Sequence, residues 1–165
     1  MSSLAILILT KNEEDNIVDV VENAKKCTPE VLVIDSGSTD KTVELAQAHG
    51  AKVCFRAWTD DFAAQRNFAL EQTTADWVLY LDADERLNDE LIRSVKAVVD
   101  EGKLDCQFSM ERKSVAFGTK FNHGVLKPDH VARMFPRTTV TWVHKVHEHP
   151  ECDLPLRSLP GHIEH

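Results

Sequence analysis

The sequence predicts an α/β fold, a doubly wound βαβ arrangement followed by a part rich in strands and loops. Three observations predict it. Four short runs, beginning at Leu4, Val31, Lys52 and Trp77, read as strands and are separated by segments whose apolar residues recur at helical spacing. The run Trp77-Val78-Leu79-Tyr80-Leu81 is apolar or aromatic without a break, as suits a strand buried on both faces of a parallel sheet. Three of the runs give way abruptly to polar clusters, Thr10-Lys11-Asn12-Glu13, Asp35–Asp40 and Asp82-Ala83-Asp84-Glu85. The carboxyl ends of strands are where open α/β sheets bind ligands.

Leu4–Leu9 reads as the first strand. A helix then runs to about Lys26, with Ile17, Val20, Val21 and Ala24 on one face. Acids in its first turn and lysines in its last suit the helix dipole. Val31–Ile34 is the second strand. A helix follows to His49, with Val43, Leu45, Ala46 and Ala48 apolar and Gly50 as its stop. Lys52–Phe55 is a short third strand. The helix around Asp61–Gln72 carries Arg66 in the middle of its apolar face. Phe62, Ala63, Ala69 and Leu70 all lie within about 60° of it on a helical wheel. A guanidinium there keeps its charge and must be paired. Asp35 or Asp82 would serve as a structural partner; a bound diphosphate is the functional one.

Asn88-Asp89-Glu90 opens a helix with Leu91, Ile92, Val95, Val98 and Val99 on its core side. After Gly102, residues 105–112, 130–135 and 139–146 alternate like strands, separated by Gly118, Gly124, Pro128 and Pro136. The expectation is one domain in two halves, residues 1–102 and 103–165.

Composition narrows the function. The chain has 165 residues, 42% hydrophobic and 28% charged, which is ordinary for one globular domain with a real core. Its net charge of −8 is unevenly spread. Residues 1–102 carry 10 Lys/Arg against 20 Asp/Glu, while residues 103–127 carry 5 against 2. That balance argues against a nucleic-acid-binding surface. The short basic stretch suits an anionic acceptor or membrane headgroups, when it is not simply solvated. Cys27, Cys54, Cys106 and Cys152 are scattered, which fits free thiols in a reducing cytoplasm rather than disulfides or zinc. Seven of the eight histidines fall within residues 103–165, at spacings that match no standard zinc motif. No run is long enough to span a membrane, and Leu4–Leu9 is too short for a signal peptide.

In an extended chain residues two apart share a face, so Asp82 and Asp84 are expected to point the same way. Two carboxylates this close repel unless a cation joins them. Mg2+ or Mn2+ suits them: both are hard, take oxygen ligands and keep positions open for substrate phosphates. The plainer alternative is that Asp-Ala-Asp-Glu opens a turn and caps the helix after Asn88.

In their order and spacing, Thr10-Lys11-Asn12-Glu13, Asp35-Ser36-Gly37-Ser38-Thr39-Asp40 and Asp82-Ala83-Asp84-Glu85 resemble a family 2 glycosyltransferase of the GT-A fold, whose sheet is mixed, mainly parallel and flanked by helices. The similarity continues through Gln65-Arg66-Asn67, His123-Gly124, Pro128-Asp129, Arg133-Met134-Phe135 and Val146-His147-Glu148. That later set is similar to the branch containing bacterial lipopolysaccharide core β-1,4-glucosyltransferases. The resemblance covers nearly the whole chain. Members of that branch usually continue beyond a point like His165, so a short or truncated member is expected.

The resemblance implies a metal-dependent, inverting transfer of a hexose, glucose first, from a UDP-linked or similar nucleotide-sugar. The acceptor would be a saccharide or glycolipid in lipopolysaccharide or other envelope glycan synthesis, in the cytoplasm or at the inner face of the membrane. Residues 1–102 would bind the donor and residues 103–165 would face the acceptor. Asp35, with Ser36 beside it, would accept hydrogen bonds from the base; Thr10, Lys11 and Glu13 would line base and ribose. Arg66 would serve the diphosphate. Asp82 and Ala83 would lie against the nucleotide, with Asp82 and Asp84 at the metal. Each has a structural alternative: capping of the Ser36–Asp40 turn for Asp35, and helix capping for Thr10 and Asn12.

Inversion requires a base for the acceptor hydroxyl. The family's usual acid-Asp pair is not plainly present, and Glu148 and Asp129 are the candidates. Glu148 is preferred because it follows a strand-like run. On an extended chain it would point away from His147, leaving that histidine in the core or at the metal. Asp129 sits in an expected loop, where a salt bridge to Arg133 competes. Two other functions fit less well. A nucleotidyltransferase would carry a Gly-rich phosphate loop where this chain has Thr-Lys-Asn-Glu-Glu. A nucleotide-sugar-binding module would bind the donor without turnover.

Overall fold

The computed structural model describes residues 2–114 and 129–165. Its elements, in chain order, begin with β1 (Leu4–Thr10), α1 (Ile17–Lys25), β2 (Glu30–Asp35), α2 (Thr42–Ala48) and β3 (Lys52–Phe55). Then come α3 (Phe62–Glu71), β4 (Trp77–Tyr80), β5 (Arg86–Leu87), α4 (Asp89–Glu101) and β6 (Gln107–Lys113). After β7 (Asp129–Pro136) and a 3-10 turn at Arg137–Thr139 come β8 (Thr141–Val143), β9 (His149–Glu151) and β10 (Leu156–Glu164).

Eight strands form one mixed sheet in the order β3-β2-β1-β4-β7-β6-β10-β5. The β3-β2-β1-β4 half is parallel throughout, and β7 joins it antiparallel to β4. The later strands therefore extend the same sheet instead of forming a layer of their own. A separate hairpin pairs β8 with β9.

The two-residue side-chain period of a strand divides the core. On one face Leu4, Ile6 and Ile8 of β1 meet Ile17, Val20, Val21 and Ala24 of α1 and Leu91, Ile92 and Val95 of α4. On the other, Ala5 and Leu7 meet Val78, Tyr80, Phe135, Trp142, and Ala63 and Ala69 of α3. Continuous apolar runs are what two covered faces demand, and Ala5, Ile6, Leu7 and Ile8 are all fully buried. Asp61 caps α3 by accepting from the Ala64 N–H at 3.0 Å. Asn88 caps α4 in the same way through Leu91, and Gly102 closes that helix in the left-handed region.

Two expectations change. The run 139–146 does not stay extended: β8 ends at Val143, and the chain turns through His144 and His147 at φ 71 and 56. The β5, β9 and β10 strands are additional. β10 is interrupted by a bulge between Ser158 and His162, which is where its Pro160 and Gly161 fall. Proline lacks a ladder donor and is tolerated at bulges. Gly161 has φ +98, and a Cβ there would lie 2.3 Å from the Leu91 backbone nitrogen, so only glycine fits against the start of α4. His123, Gly124 and Pro128 lie outside the described residues.

Candidate active site

The carboxyl ends of β1, β2 and β4 open onto two adjoining cavities. One, of about 260 Å³, is lined by Leu9, Thr10, Lys11, Glu13, Ser36, Trp58, Phe62 and Gln65. The other, of about 470 Å³, is lined by Glu13, Arg66, Asp82, Ala83, Asp84 and Glu148, among others. Leu9, Glu13 and Phe62 belong to both. Of the residues singled out from sequence, all but Asp35 and Asp129 therefore border this one cleft.

Asp35 lies beneath the smaller cavity and is buried. Its Oδ1 accepts from Thr10 Oγ1 at 2.8 Å and Ser38 Oγ at 2.6 Å. Its Oδ2 accepts from the backbone N–H groups of Gly37 and Ser38 at 3.0 and 2.8 Å. Burial pushes the carboxyl pKa up, but these four donors outweigh it and hold it below the usual range. A carboxylate has about four lone-pair sites, so internal donors already occupy them. The turn-capping alternative is thus realised, by Asp35 itself.

Neither Thr10 nor Asn12 caps a helix. α1 starts at Ile17, whose N–H reaches Glu13 O at 2.8 Å. Asn12 Oδ1 instead accepts from Thr39 N, tying the β1 and β2 ends together.

The Asp82 corner is built differently. β4 stops at Tyr80, and Asp82–Glu85 forms a turn closed by Glu85 N–H to Asp82 O at 2.9 Å. The extended geometry assumed for Asp82 and Asp84 is therefore absent. The turn still leaves both on the same cavity. Arg66 lies 4.7 Å from the Trp142 ring centroid and 5.5 Å from that of Tyr80, close enough for cation–π attraction. Its Nη2 is 3.6 Å from Asp82 Oδ1 and 3.6 Å from Glu148 Oε1. Asp82 is thus the expected partner and Glu148 a second one, while Asp35 is spoken for by its own turn. Arg66 Nε is buried without a hydrogen-bond partner among the described residues.

Sequence reasoning missed the centre of this corner. Glu85 is fully buried and receives both ends of the Arg133 guanidinium, at 2.7 and 3.0 Å. The Asp82 N–H donates to the same Glu85 Oε1 at 2.8 Å. Arg112 Nη1 stands 3.5 Å from Glu85 Oε2. Burial raises the Glu85 pKa, but the Arg133 hydrogen bonds and charge overcome it and hold the carboxyl below its usual range. The one available signal was Arg133 itself, an arginine within an apolar strand run.

The two base candidates separate. Glu148 is 19% exposed and lines the cavity that holds Asp82 and Asp84. Asp129 is the first residue of β7, not part of a loop; its side chain is 65% exposed and pairs with Arg112 at 3.1 Å. Arg133, its expected partner, is committed to Glu85. His147 is exposed and left-handed, which removes it from the core.

The donor set also bears on a divalent cation. Asp84 is exposed and makes no hydrogen bond or ion pair among the described residues, so its oxygens are available. Among those residues no group of three His, Cys, Asp or Glu is placed to hold a metal by itself. Asp82 and Asp84 thus fit an open two-carboxylate site that would leave its remaining positions to phosphate and water. No helix among the described residues is long and apolar enough to cross a membrane.

Mixed sheet, flanking helices and strand-end cleft together define a GT-A-type α/β fold. The chain belongs to glycosyl transferase family 2, whose model matches residues 5–144. Over 91 residues it is 43% identical to an uncharacterised glycosyltransferase of Rickettsia typhi, covering 55% of this chain and 31% of that protein. It is 35% identical over 106 residues to the lipopolysaccharide core biosynthesis glycosyltransferase LpsC of Rhizobium meliloti, covering 59% and 38%. The crystal structure of S. aureus TarS in complex with UDP superposes with a TM-score of 0.60 at 26% identity, covering 76% of this chain and 38% of that one. The chain thus spans about a third of the length of the curated relatives it matches.

Proposed function

We propose that this chain carries the donor site of a metal-dependent, inverting hexosyltransferase, moving a sugar, glucose first, from a UDP-linked donor to a saccharide or glycolipid acceptor. The observation that carries the reading is the cleft itself: a pocket bordered by the Asp35 turn opens into a cavity shared by Asp82, Asp84, Arg66 and Glu148. The UDP in TarS and the name of LpsC support it, and the latter points to envelope glycan synthesis. Residues 1–102 would hold the donor and residues 103–165 the acceptor side. The −8 net charge leaves nucleic acid out of the reading, and the basic stretch after Gly102 is where membrane headgroups would touch.

The base would enter the pocket of Thr10, Lys11, Glu13 and Ser36. Since the four acceptor sites of Asp35 are filled, a base N–H would displace a hydroxyl, Ser38 or Thr10, that can rotate away. Arg66 would place its charge at the diphosphate. Asp82 and Asp84 would hold Mg2+ or Mn2+, which stabilises the negative charge developing on the departing diphosphate. Glu148 would take the proton of the acceptor hydroxyl. That oxygen would bond to the anomeric carbon as the bond to the diphosphate oxygen breaks on the opposite face, inverting the centre.

Thermal unfolding with UDP should show a stabilisation that largely needs Mn2+, at about 2.7 kcal/mol for a hundredfold excess over the dissociation constant. Asp84→Asn should remove most of the metal dependence while the protein stays folded. Glu148→Gln should cost about 10²–10⁴ in turnover with UDP affinity intact, while Asp129→Asn stays near wild type. No metal-dependent shift with any nucleotide would sink the donor site. The reverse outcome for the two acids would make Asp129 the base. Release of UDP distinguishes transfer from binding alone.

A further inference from the structure

We propose that Glu85 and Arg133 act as a positioning pair that sets the metal affinity of the Asp82–Asp84 turn; the inference rests on the donor site proposed above. β4 ends at Tyr80, and the two metal-facing carboxylates follow in a turn, where backbone is less constrained than in a sheet ladder. Arg86 donates to the Ala83 carbonyl at 2.7 Å, and four further contacts on the turn converge on one buried pair. Glu85 Oε1 accepts the Asp82 N–H at 2.8 Å. Arg133 grips both Glu85 oxygens, at 2.7 and 3.0 Å. The same guanidinium donates to the Tyr80 carbonyl, where β4 ends, at 3.3 Å, and its Nη2 stands 3.7 Å from Asp82 Oδ2.

Arg133 therefore touches the turn at its start, at its first acid and at its last. A fork with five fixed donors can do this; a lysine ammonium, a single point charge, cannot hold all three at once. Arg133 is carried by β7, which pairs with β4 through Leu79↔Met134, so the strand ladder brings the fork to the turn. Glu85 lines neither cavity and is fully buried, so it cannot touch substrate. Its part is to hold the backbone of Asp82, and with it the spacing between Asp82 and Asp84. Partners of metal ligands that act from behind in this way typically cost 10–100-fold in metal affinity when changed.

A purely structural ion pair makes a different prediction. Changing it would lower the melting temperature and leave the metal dissociation constant alone. The test uses Glu85→Gln, which keeps the shape and an acceptor for the Asp82 N–H, with Arg133→Lys and Arg133→Leu. Mn2+ binding is read by electron paramagnetic resonance with UDP present, at a temperature where each variant is folded by circular dichroism. UDP binding without metal is measured alongside.

Glu85→Gln and Arg133→Leu should weaken Mn2+ binding about 10–100-fold, with Arg133→Lys in between and metal-free UDP affinity within about twofold of wild type. Wild-type Mn2+ affinity in variants that merely melt earlier would overturn the positioning role and leave the donor site standing. A wild type that does not bind Mn2+ with UDP would overturn both. If Glu85→Gln does not fold, the two Arg133 variants decide alone: equal Mn2+ affinities at wild-type strength refute the pair.

Discussion

Two acids anchor the two ends of the cleft, and the molecule holds them by opposite means. Asp35 is fixed by hydroxyls and backbone N–H groups, all neutral. Glu85 is fixed by guanidinium groups, one of them bidentate. Neutral donors can satisfy a carboxylate without cancelling its charge, so the Asp35 end keeps a negative centre beside the pocket proposed for the base. The Asp82–Glu85 end keeps charges of both signs close together, as the diphosphate and cation proposed for it would require. Position in the fold does not explain the difference, since Asp35 ends one buried parallel strand and Glu85 follows another. Neighbouring strands do: β7 and β6 bring Arg133 and Arg112 to one end only.

The largest break in this comparison should come from Glu85→Ala. It strands the buried Arg133 guanidinium, and losing one partner of a buried pair typically costs about 3–5 kcal/mol. Urea unfolding measures it; a loss below about 1 kcal/mol would mean the arginine end is solvated after all.

Asp35→Asn comes next. Its amide can keep its oxygen on the Gly37 and Ser38 N–H groups only by turning its NH2 to the Thr10 and Ser38 hydroxyls, which lose their acceptor, at a cost of about 1–3 kcal/mol. The acid side of the stability curve sharpens this. Both acids are held below their ordinary values of 3.8 and 4.5. Their contribution is therefore complete above those values and is lost as pH falls through the lower folded-state pKa. Asp35→Asn should flatten the fall in stability below about pH 4. An unchanged slope would show that Asp35 is not held as its hydrogen bonds imply.

The smallest effect belongs to Thr10→Val, which removes one of the four donors to Asp35 for about 0.5–1.5 kcal/mol. UDP affinity should not fall with it, because the freed lone pair becomes available to the base. A clear loss of UDP affinity would make the Thr10 hydroxyl a direct contact.

Apart from β5, the strands and helices of the first hundred residues were legible because each carries its own periodicity: Leu4–Leu9 and Trp77–Leu81 read as buried strands, and Asp61 and Asn88 as helix starts. The later part was less so. The run 139–146 looks like one strand because nothing in His144 or His147 announces a left-handed backbone. β10 hides behind Pro160-Gly161, a pair that a strand accommodates only at a bulge. The cleft was legible where its acids are local to strand ends, and Arg66 stood out against an apolar face. Glu85 and Arg133 were not, because a pair 48 residues apart is made by strand order, which no local pattern encodes.

The Gly161 bulge ties together two parts of the chain that are far apart in sequence. Asn88 Oδ1 accepts from Leu91 N–H, capping α4, and also from His162 N–H, while His162 O accepts the Asn88 N–H. One side chain thus latches the start of a helix and the last strand beyond its bulge. Peeling β10 away removes two bonds that hold Asn88 in its capping place, and fraying the start of α4 loosens β10. Such an arrangement couples opening of the two, so the outer part of the sheet shares the resilience of the helix on which it leans.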